Sequence, residues 1–125
     1  MWSQHATRVD LCLFDADGTA VWHHKLTSKA GDVHYTFVEG IKAGQHYGLR
    51  AHGPYDPATG HHFDSRKLLL DPYATTVSAP FHYHADLSRH GAETAHLVPK
   101  AVATAAMQPL ATRNPHEPGL IYELN

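Results

Sequence analysis

Pairs of carboxylates are the first candidates for chemistry in this sequence, because two facing carboxyl groups can act as general acid, base or nucleophile. Asp15 and Asp17 are close in sequence, but they belong to a turn-forming run that ends at Gly18. Asp56 and Asp71 each precede a proline, and this position accounts for them as turn and helix-stop residues. We therefore predict no catalytic residue in this chain.

Histidines are the second candidates, because the sequence holds 13 of them. His82 and His84 would share a strand face, and His23 with His24 or His61 with His62 could add further ligands for a metal ion. Structural zinc sites use four nitrogen or sulfur ligands at recognisable spacings, and catalytic sites use three plus a water. These pairs match no such spacing, so we predict no metal and no cofactor. A histidine-rich metal or protein-interaction module stays an alternative, which a zinc-induced rise in melting temperature would favour.

Trp22 offers a third kind of chemistry, because an exposed aromatic ring can stack under the pyranose ring of a sugar. His24 follows two residues later on the same face of a predicted strand, and Lys25 stands beside it. These three residues are our candidates for carbohydrate contact. A buried Trp22 would be a core residue instead, and the sequence leaves both interpretations open.

The elements that must position these residues are short strands. In residues 8–15 apolar side chains alternate, with Val9, Leu11 and Leu13 on one face and Asp10, Cys12 and Phe14 on the other. A second strand is predicted over 19–26, after a turn, and residues 28–32 are predicted to form the next turn. A third strand has Val33, Tyr35 and Phe37 facing inward, and a fourth has Tyr47, Leu49 and Ala51. Residues 75–84 predict a fifth strand, and Pro99, between Val98 and Val102, suits an edge strand or the entry to a strand. Short strands with turn residues between them favour an antiparallel sandwich.

Residues 47–74 combine a strand end with a loop stiffened by Pro54, Pro57 and Pro72. Asp64 and Ser65 precede a run over 66–70 that predicts one helical turn. Side chains on this segment could dock against a neighbouring domain, and the candidates are Arg50, Tyr55, Asp56, Phe63, Lys67, Asp71 and Tyr73. The alternative is that the same residues pack against their own sandwich.

An ordered series of motifs in this chain resembles a known family. The series comprises RVDLCLFD over 8–15, GDVH over 31–34, GQHYG over 44–48, GPYDP over 53–57 and KLLLDPYA over 67–74. It is similar to the N-terminal family-48 carbohydrate-binding module of bacterial glycogen debranching enzymes and isoamylases of the α-amylase superfamily. The resemblance implies an all-β fold, an immunoglobulin-like antiparallel β-sandwich with one short helical turn.

The resemblance also implies a domain organisation. Residues 1–102 are expected to form the sandwich, with its first strand truncated because residues 1–6 resemble only the second half of that strand. Residues 103–119 are expected to be a linker, and 120–125 the start of the first strand of a catalytic barrel. The catalytic residues of the family have no counterpart at matching positions here. The strand that carries Val9 is expected to present an unpaired edge, which predicts self-association.

The resemblance implies that the chain is an accessory domain of an enzyme that hydrolyses α-1,6-glucosidic bonds in glycogen. It would brace an α-amylase-type barrel, could also contact glucan, and would hydrolyse nothing by itself. The alternative function is a stand-alone glycogen- or starch-binding module.

Composition excludes other classes of function. The formal net charge is −2 and the basic residues are scattered, which argues against a nucleic-acid partner. No apolar run is long enough to span a membrane, and no leader pattern opens the sequence. A single cysteine favours a reducing, cytoplasmic location.

Overall fold

The computed structural model describes residues 1–105, and these residues form antiparallel sheets with two short 3-10 turns. The strands are β1 (Arg8–Phe14), β2 (Ala20–Lys25), β3 (Ser28–Ala30), β4 (Val33–Tyr35), β5 (His46–His52), β6 (Tyr55–Asp56), β7 (His61–His62) and β8 (Ala101–Val102). The predicted all-β sandwich class is thereby confirmed. The predicted linker beyond residue 105 and the predicted barrel strand at 120–125 lie outside the described residues.

The main sheet has the strand order β2-β1-β5-β8, so β1 lies inside the sheet. It pairs antiparallel with β2 on one side and with β5 on the other, where Leu11 is opposite Leu49. The expectation that the strand of Val9 forms an unpaired edge is therefore wrong. The outer strands of this sheet are β2 and β8.

The alternation of β1 divides the sheet into two faces. We call the face that carries Leu11, Leu13, Tyr47 and Leu49 the front face, and the face that carries Cys12, Phe14, Gly48 and Arg50 the back face. The front face buries a cluster of Ala6, Val9, Leu26 and Leu49. The back face buries Cys12 and Phe14 beneath Leu68, with Ala95 and Val98 packed against them.

A β-hairpin made of β3 and β4 covers part of the front face. Its inward side chain is His34, which is 5% exposed, whereas Tyr35 and Phe37 are 51% and 85% exposed. The predicted inward register of β4 is therefore wrong by one residue, since a slip of one position exchanges the two faces of a strand. Residues 28–30, predicted as part of a turn, form a strand, and the turn is confined to Gly31 and Asp32.

Two further predictions about local structure are wrong. Residues 75–84 form no strand, and only Val77 makes an isolated bridge, with Ala101. No helical turn forms at 66–70 either, because the chain makes a tight turn there and Leu69 then bridges Leu49. The 3-10 turns lie instead at Pro57–Thr59 and Ala85–Leu87.

Candidate functional site

Trp22 and His24 form a stacked pair on β2, at the edge of the main sheet. Their ring centroids are 4.8 Å apart and their planes differ by 6°. In the register Trp22 is opposite Leu13 and His24 is opposite Leu11, so both side chains belong to the front face. Trp22 is 37% exposed. The pair therefore presents a flat, partly exposed aromatic surface, which is the geometry on which a sugar ring can stack.

Lys25, the third candidate for carbohydrate contact, lies on the other side of the sheet. It is opposite Asp10, whose side chain belongs to the back face. The period of two in a strand already separates positions 22 and 24 from position 25, so the sequence contained this signal. The structure brings together two of the three candidates.

Tyr55 and Asp56 stand at the start of a small hairpin formed by β6 and β7. Tyr55 is 49% exposed and its ring stacks on His90 at a centroid distance of 3.6 Å. The carboxylate of Asp56 accepts hydrogen bonds from the backbone N–H of Ala58 at 3.2 Å and from the hydroxyl of Thr59 at 2.9 Å. Asp56 thus shapes its own loop, while Tyr55 keeps an exposed ring. The contact with His90 had no signal in the sequence.

Phe63 packs inside the domain. Its ring lies so close to Gly53 that a Cβ on that glycine would come within 2.6 Å of it. It also packs against the front-face cluster. This close approach explains why residue 53 has no side chain.

Arg50 crosses the back face and holds two segments together. Its guanidinium donates to the carbonyl of Ser65 at 2.8 Å and to Glu93 Oε1 at 2.7 Å. Burial alone would raise the pKa of Glu93, but the Arg50 guanidinium and the backbone N–H of Ala95 outweigh it and hold the pKa below its usual value. Sequence reasoning missed Glu93, because it is 43 residues from its partner.

Lys67 holds the loop that follows the second 3-10 turn. Its ammonium donates to the carbonyls of Asp86 and Arg89, each at 2.6 Å, and of Ala92 at 3.2 Å. Nearby, Asp64 Oδ2 accepts a hydrogen bond from the backbone N–H of Gly91 at 2.6 Å. Together with the Arg50–Glu93 pair, these contacts fasten residues 86–95 across the back face.

Asp71 and Tyr73 lie at the rim of an open groove of about 480 Å³ on the front face. The hydroxyl of Tyr47 donates to Asp71 Oδ2 at 2.8 Å, and Asp71 Oδ1 accepts from the backbone N–H of Tyr73 at 3.0 Å. Burial, with Asp71 beside it, raises the pKa of Tyr47 to about 12. Tyr73 is 74% exposed. Of the seven docking candidates, Tyr55 and Tyr73 therefore present the most open rings.

Two aspartates that could have served chemistry, Asp10 and Asp15, hold structural partners instead. Within residues 1–105 no group of three or more His, Cys, Asp or Glu side chains could hold a metal ion. Asp15 accepts hydrogen bonds from the backbone N–H groups of Asp17 and Thr19, which agrees with its predicted role in a turn. Asp10 binds Arg8 and His52, at 2.7 and 2.8 Å. Over the same residues no helix has the length and apolar character needed to cross a membrane.

The family model for carbohydrate-binding module 48, described as the isoamylase N-terminal domain, matches residues 1–74, which is more than half of the chain. The chain belongs to this family. The resemblance drawn from the motifs over 8–74 is thereby confirmed. The sheet, the edge aromatic pair and the proline-stiffened loop described above are accordingly those of a module-48 domain.

Relatives of this module-48 chain carry the name glycogen debranching enzyme. The protein of that name from Serratia proteamaculans (strain 568) is 42% identical over 107 residues, covering 82% of this chain and 16% of the relative. That from Salmonella typhi is 37% identical over 134 aligned positions, covering 98% of this chain and 20% of the relative. The chain thus spans a fifth or less of the length of these relatives.

Proposed function

We propose that this chain is an accessory domain of a glycogen debranching enzyme, which hydrolyses α-1,6-glucosidic bonds in glycogen. The relatives that cover 98% of the chain bear that name, and the family is a carbohydrate-binding one. The chain alone hydrolyses nothing, because the chemistry belongs to an α-amylase-type barrel in the same protein. A stand-alone glycogen-binding module is not favoured, because the matched relatives are named as enzymes.

The glucan contact that we propose rests on one observation, the stacked Trp22–His24 pair at the sheet edge. A pyranose ring presents apolar C–H groups that pack on such a surface, and its hydroxyl groups can bind the imidazole nitrogens. Because β2 is an outer strand, a polymer can approach it without displacing another strand. Lys25 lies on the back face of the same strand, so it could contact only a part of the glucan that reaches around the sheet edge.

Affinity electrophoresis in gels that contain glycogen tests this contact. We expect glycogen to retard the chain, and Trp22→Ala to abolish the retardation. Trp2→Ala is the matched control, because Trp2 is also exposed but projects from the hairpin layer, where it bridges Val33. Equal retardation of the Trp22→Ala and Trp2→Ala variants would place the contact elsewhere and defeat the proposal.

We propose that the rings of Tyr55 and Tyr73 dock on the catalytic barrel, with Asp71 beside Tyr73. The exposed rings and the rigid loop support this, while Arg50, Asp56, Phe63 and Lys67 would act by holding the loop in shape. In the longer protein, we expect a Tyr55→Ser/Tyr73→Ser double variant to split one thermal unfolding transition into two. Tyr83→Ser is the control, because Tyr83 is 76% exposed on another segment. A single unchanged transition in the double variant would refute the docking role.

We propose a cytoplasmic location, supported by the single cysteine. We propose that self-association uses β2, which is the longer of the two outer strands of the main sheet. Sedimentation velocity over a range of concentrations tests this, and Val21→Lys, on the exposed side of β2, should remove any association.

A further inference from the structure

Strand β2 carries one residue more than its partner strand at the position just before Trp22. In the antiparallel register Trp22 is opposite Leu13, whereas Ala20 is opposite Phe14, so Val21 is the extra residue. This arrangement is a β-bulge, which bends a strand, increases its local twist and can re-aim a neighbouring side chain. The side chain that follows the bulge is that of Trp22, the aromatic residue of the proposed glucan contact.

The hairpin that joins β1 and β2 does not need the extra residue. Its turn is closed by Asp15, whose backbone N–H donates to the carbonyl of Thr19 at 3.0 Å and whose Oδ1 accepts from the backbone N–H of Thr19 at 2.8 Å. Without Val21 its two neighbours would still face consecutive residues of β1, so the register would persist. The side chain of Val21 is 58% exposed and adds little to the core. Neither the turn nor core packing therefore explains the bulge.

The rings of Trp22 and His24 lie closer together than a regular strand would set them. Residues two apart along a strand are separated by about 6.6 Å, but the ring centroids are 4.8 Å apart and the planes differ by 6°. The two rings therefore lean toward each other, which moves the indole away from the bulge. Extra twist immediately before Trp22 is a physical cause of this lean, because it rotates that side chain relative to its neighbour on the same face.

The stack of the two rings is covered at one end. The row of front-face side chains continues along the chain from Trp22 and His24 to Leu26, which is 7% exposed and belongs to the buried front-face cluster. The next side chain beyond the imidazole is thus a core residue, whereas the residue before the indole is the exposed Val21. The indole face on the side of the bulge is therefore the face that a sugar ring can reach.

We propose that Val21 is a positioning residue for the glucan contact: its bulge turns Trp22 against His24 and leaves the bulge-side face of the indole free for one pyranose ring of an α-glucan. This inference rests on the glucan contact proposed above and assigns a role to each residue of the site. Val21 acts through its backbone, as the extra residue of the strand. His24 supports the indole from the other side, and the indole stacks on the sugar.

Two variants at one position separate the backbone of Val21 from its side chain. Deletion of Val21 removes the bulge and keeps Trp22 opposite Leu13, whereas Val21→Thr keeps the bulge and changes only the side chain. In affinity electrophoresis over a series of glycogen concentrations, we expect the deletion to weaken binding about fivefold or more and Val21→Thr to leave it unchanged. The melting temperature of the deletion variant should not fall, because its ladder becomes regular.

Nuclear magnetic resonance supplies a readout that a purely structural role would not move. While the rings are stacked, the ring current of the indole shifts the ring-proton resonances of His24. Deletion of Val21 should reduce this shift, and Val21→Thr should preserve it. In the unchanged chain, maltotriose should move the backbone amide resonance of Val21 more than that of Leu26. This last measurement tests the open face even if the deletion variant does not fold.

The Trp22→Ala variant, measured alongside, distinguishes this inference from the proposed function. If Trp22→Ala binds glycogen as well as the unchanged chain does, the contact at Trp22 is wrong and the role of Val21 is refuted with it. If Trp22→Ala loses binding but the deletion variant retains it, the contact stands and only the role of Val21 is refuted. Weakened binding with unchanged His24 resonances would also refute that role, since the rings would not have moved. A larger maltotriose shift at Leu26 would place the sugar at the other end of the stack and contradict the proposal.

Discussion

Replacing Lys67 by methionine should lower the free energy of unfolding by about 2–3 kcal/mol. The ammonium group donates to three backbone carbonyls, those of Asp86, Arg89 and Ala92. Hydrogen bonds to a charged group contribute about 1.5–3 kcal/mol each when buried. The carbonyl of Arg89 lies in an exposed contact, so water replaces part of the loss, and the net effect is below the sum. Methionine keeps the apolar stem and removes only the charge and the donors.

Equilibrium unfolding in urea, followed by the fluorescence of the two tryptophans, measures this loss. The matched control is Lys42→Met, because Lys42 is exposed and makes no side-chain hydrogen bond or ion pair among the described residues. We expect the control to stay within about 0.5 kcal/mol of the unchanged chain. Hydrogen exchange should also accelerate over residues 86–95 in the Lys67 variant.

A Lys67→Met variant as stable as the Lys42→Met control, with unchanged exchange in the loop, would refute this reasoning. Water would then replace the three bonds at no cost, and Lys67 would be free to act at a domain interface. The same experiment therefore separates the loop-holding role from the docking role predicted for this residue.

Three further changes probe the sheet. Gly48→Ala should cost about 1–3 kcal/mol in urea unfolding, because its Cβ would lie 2.8 Å from Leu68 Cδ1; a neutral effect would show that Leu68 moves aside freely. The raised pKa of Tyr47, about 12, favours its neutral form in the folded state. The contribution of Tyr47 to stability is therefore complete below about pH 10 and is lost as pH rises toward 12. Tyr47→Phe should reduce the fall in melting temperature between pH 10 and pH 12, and an unchanged fall would contradict this. Burial raises the pKa of Asp10, but its partners outweigh burial and hold it below the ordinary value of 3.8. Its contribution is present above about pH 4 and is lost at lower pH, so Asp10→Asn should destabilise at pH 7 more than at pH 2, and equal losses would refute the assignment.

The strands of the main sheet could be predicted because their signals are local. β1 alternates cleanly over seven residues, and the turn before β2 carries Asp15 and Gly18, which is what an antiparallel hairpin needs. β5 shows the same alternation. The pairing of β1 with both neighbours was less accessible, because the resemblance suggested that its edge was open.

The register of β4 could not be predicted from hydrophobicity. Tyr35 and Phe37 have the apolar character of core residues, yet His34 faces inward and Phe37 is 85% exposed. A three-residue strand is too short to show a clear alternation of apolar and polar residues. Which of its faces is buried depends on the layer packed against it, and that layer comes from distant parts of the chain. For residues 75–84 the composition favoured a strand, but within residues 1–105 this segment forms only the isolated bridge between Val77 and Ala101.

The roles of the loop residues were also inaccessible to the sequence. Arg50 and Lys67 find their partners 15 to 43 residues away, and most of these partners are backbone carbonyls, which every residue carries. A sequence can indicate that a cationic side chain will find an acceptor, but it does not identify which backbone carbonyl accepts the hydrogen bond. The aromatic pair of Trp22 and His24 was easier, because a spacing of two on one strand guarantees a shared face.

The buried position of Cys12 makes its thiol a built-in probe of conformational opening. This thiol is the only one in the sequence and is 0% exposed in the middle strand. A thiol reagent can therefore react with it only when the back face opens, so the labelling rate reports the openings that expose Cys12. Without any engineered probe, mass spectrometry of labelled samples would rank variants, and the effects of ligands, by how often Cys12 becomes exposed.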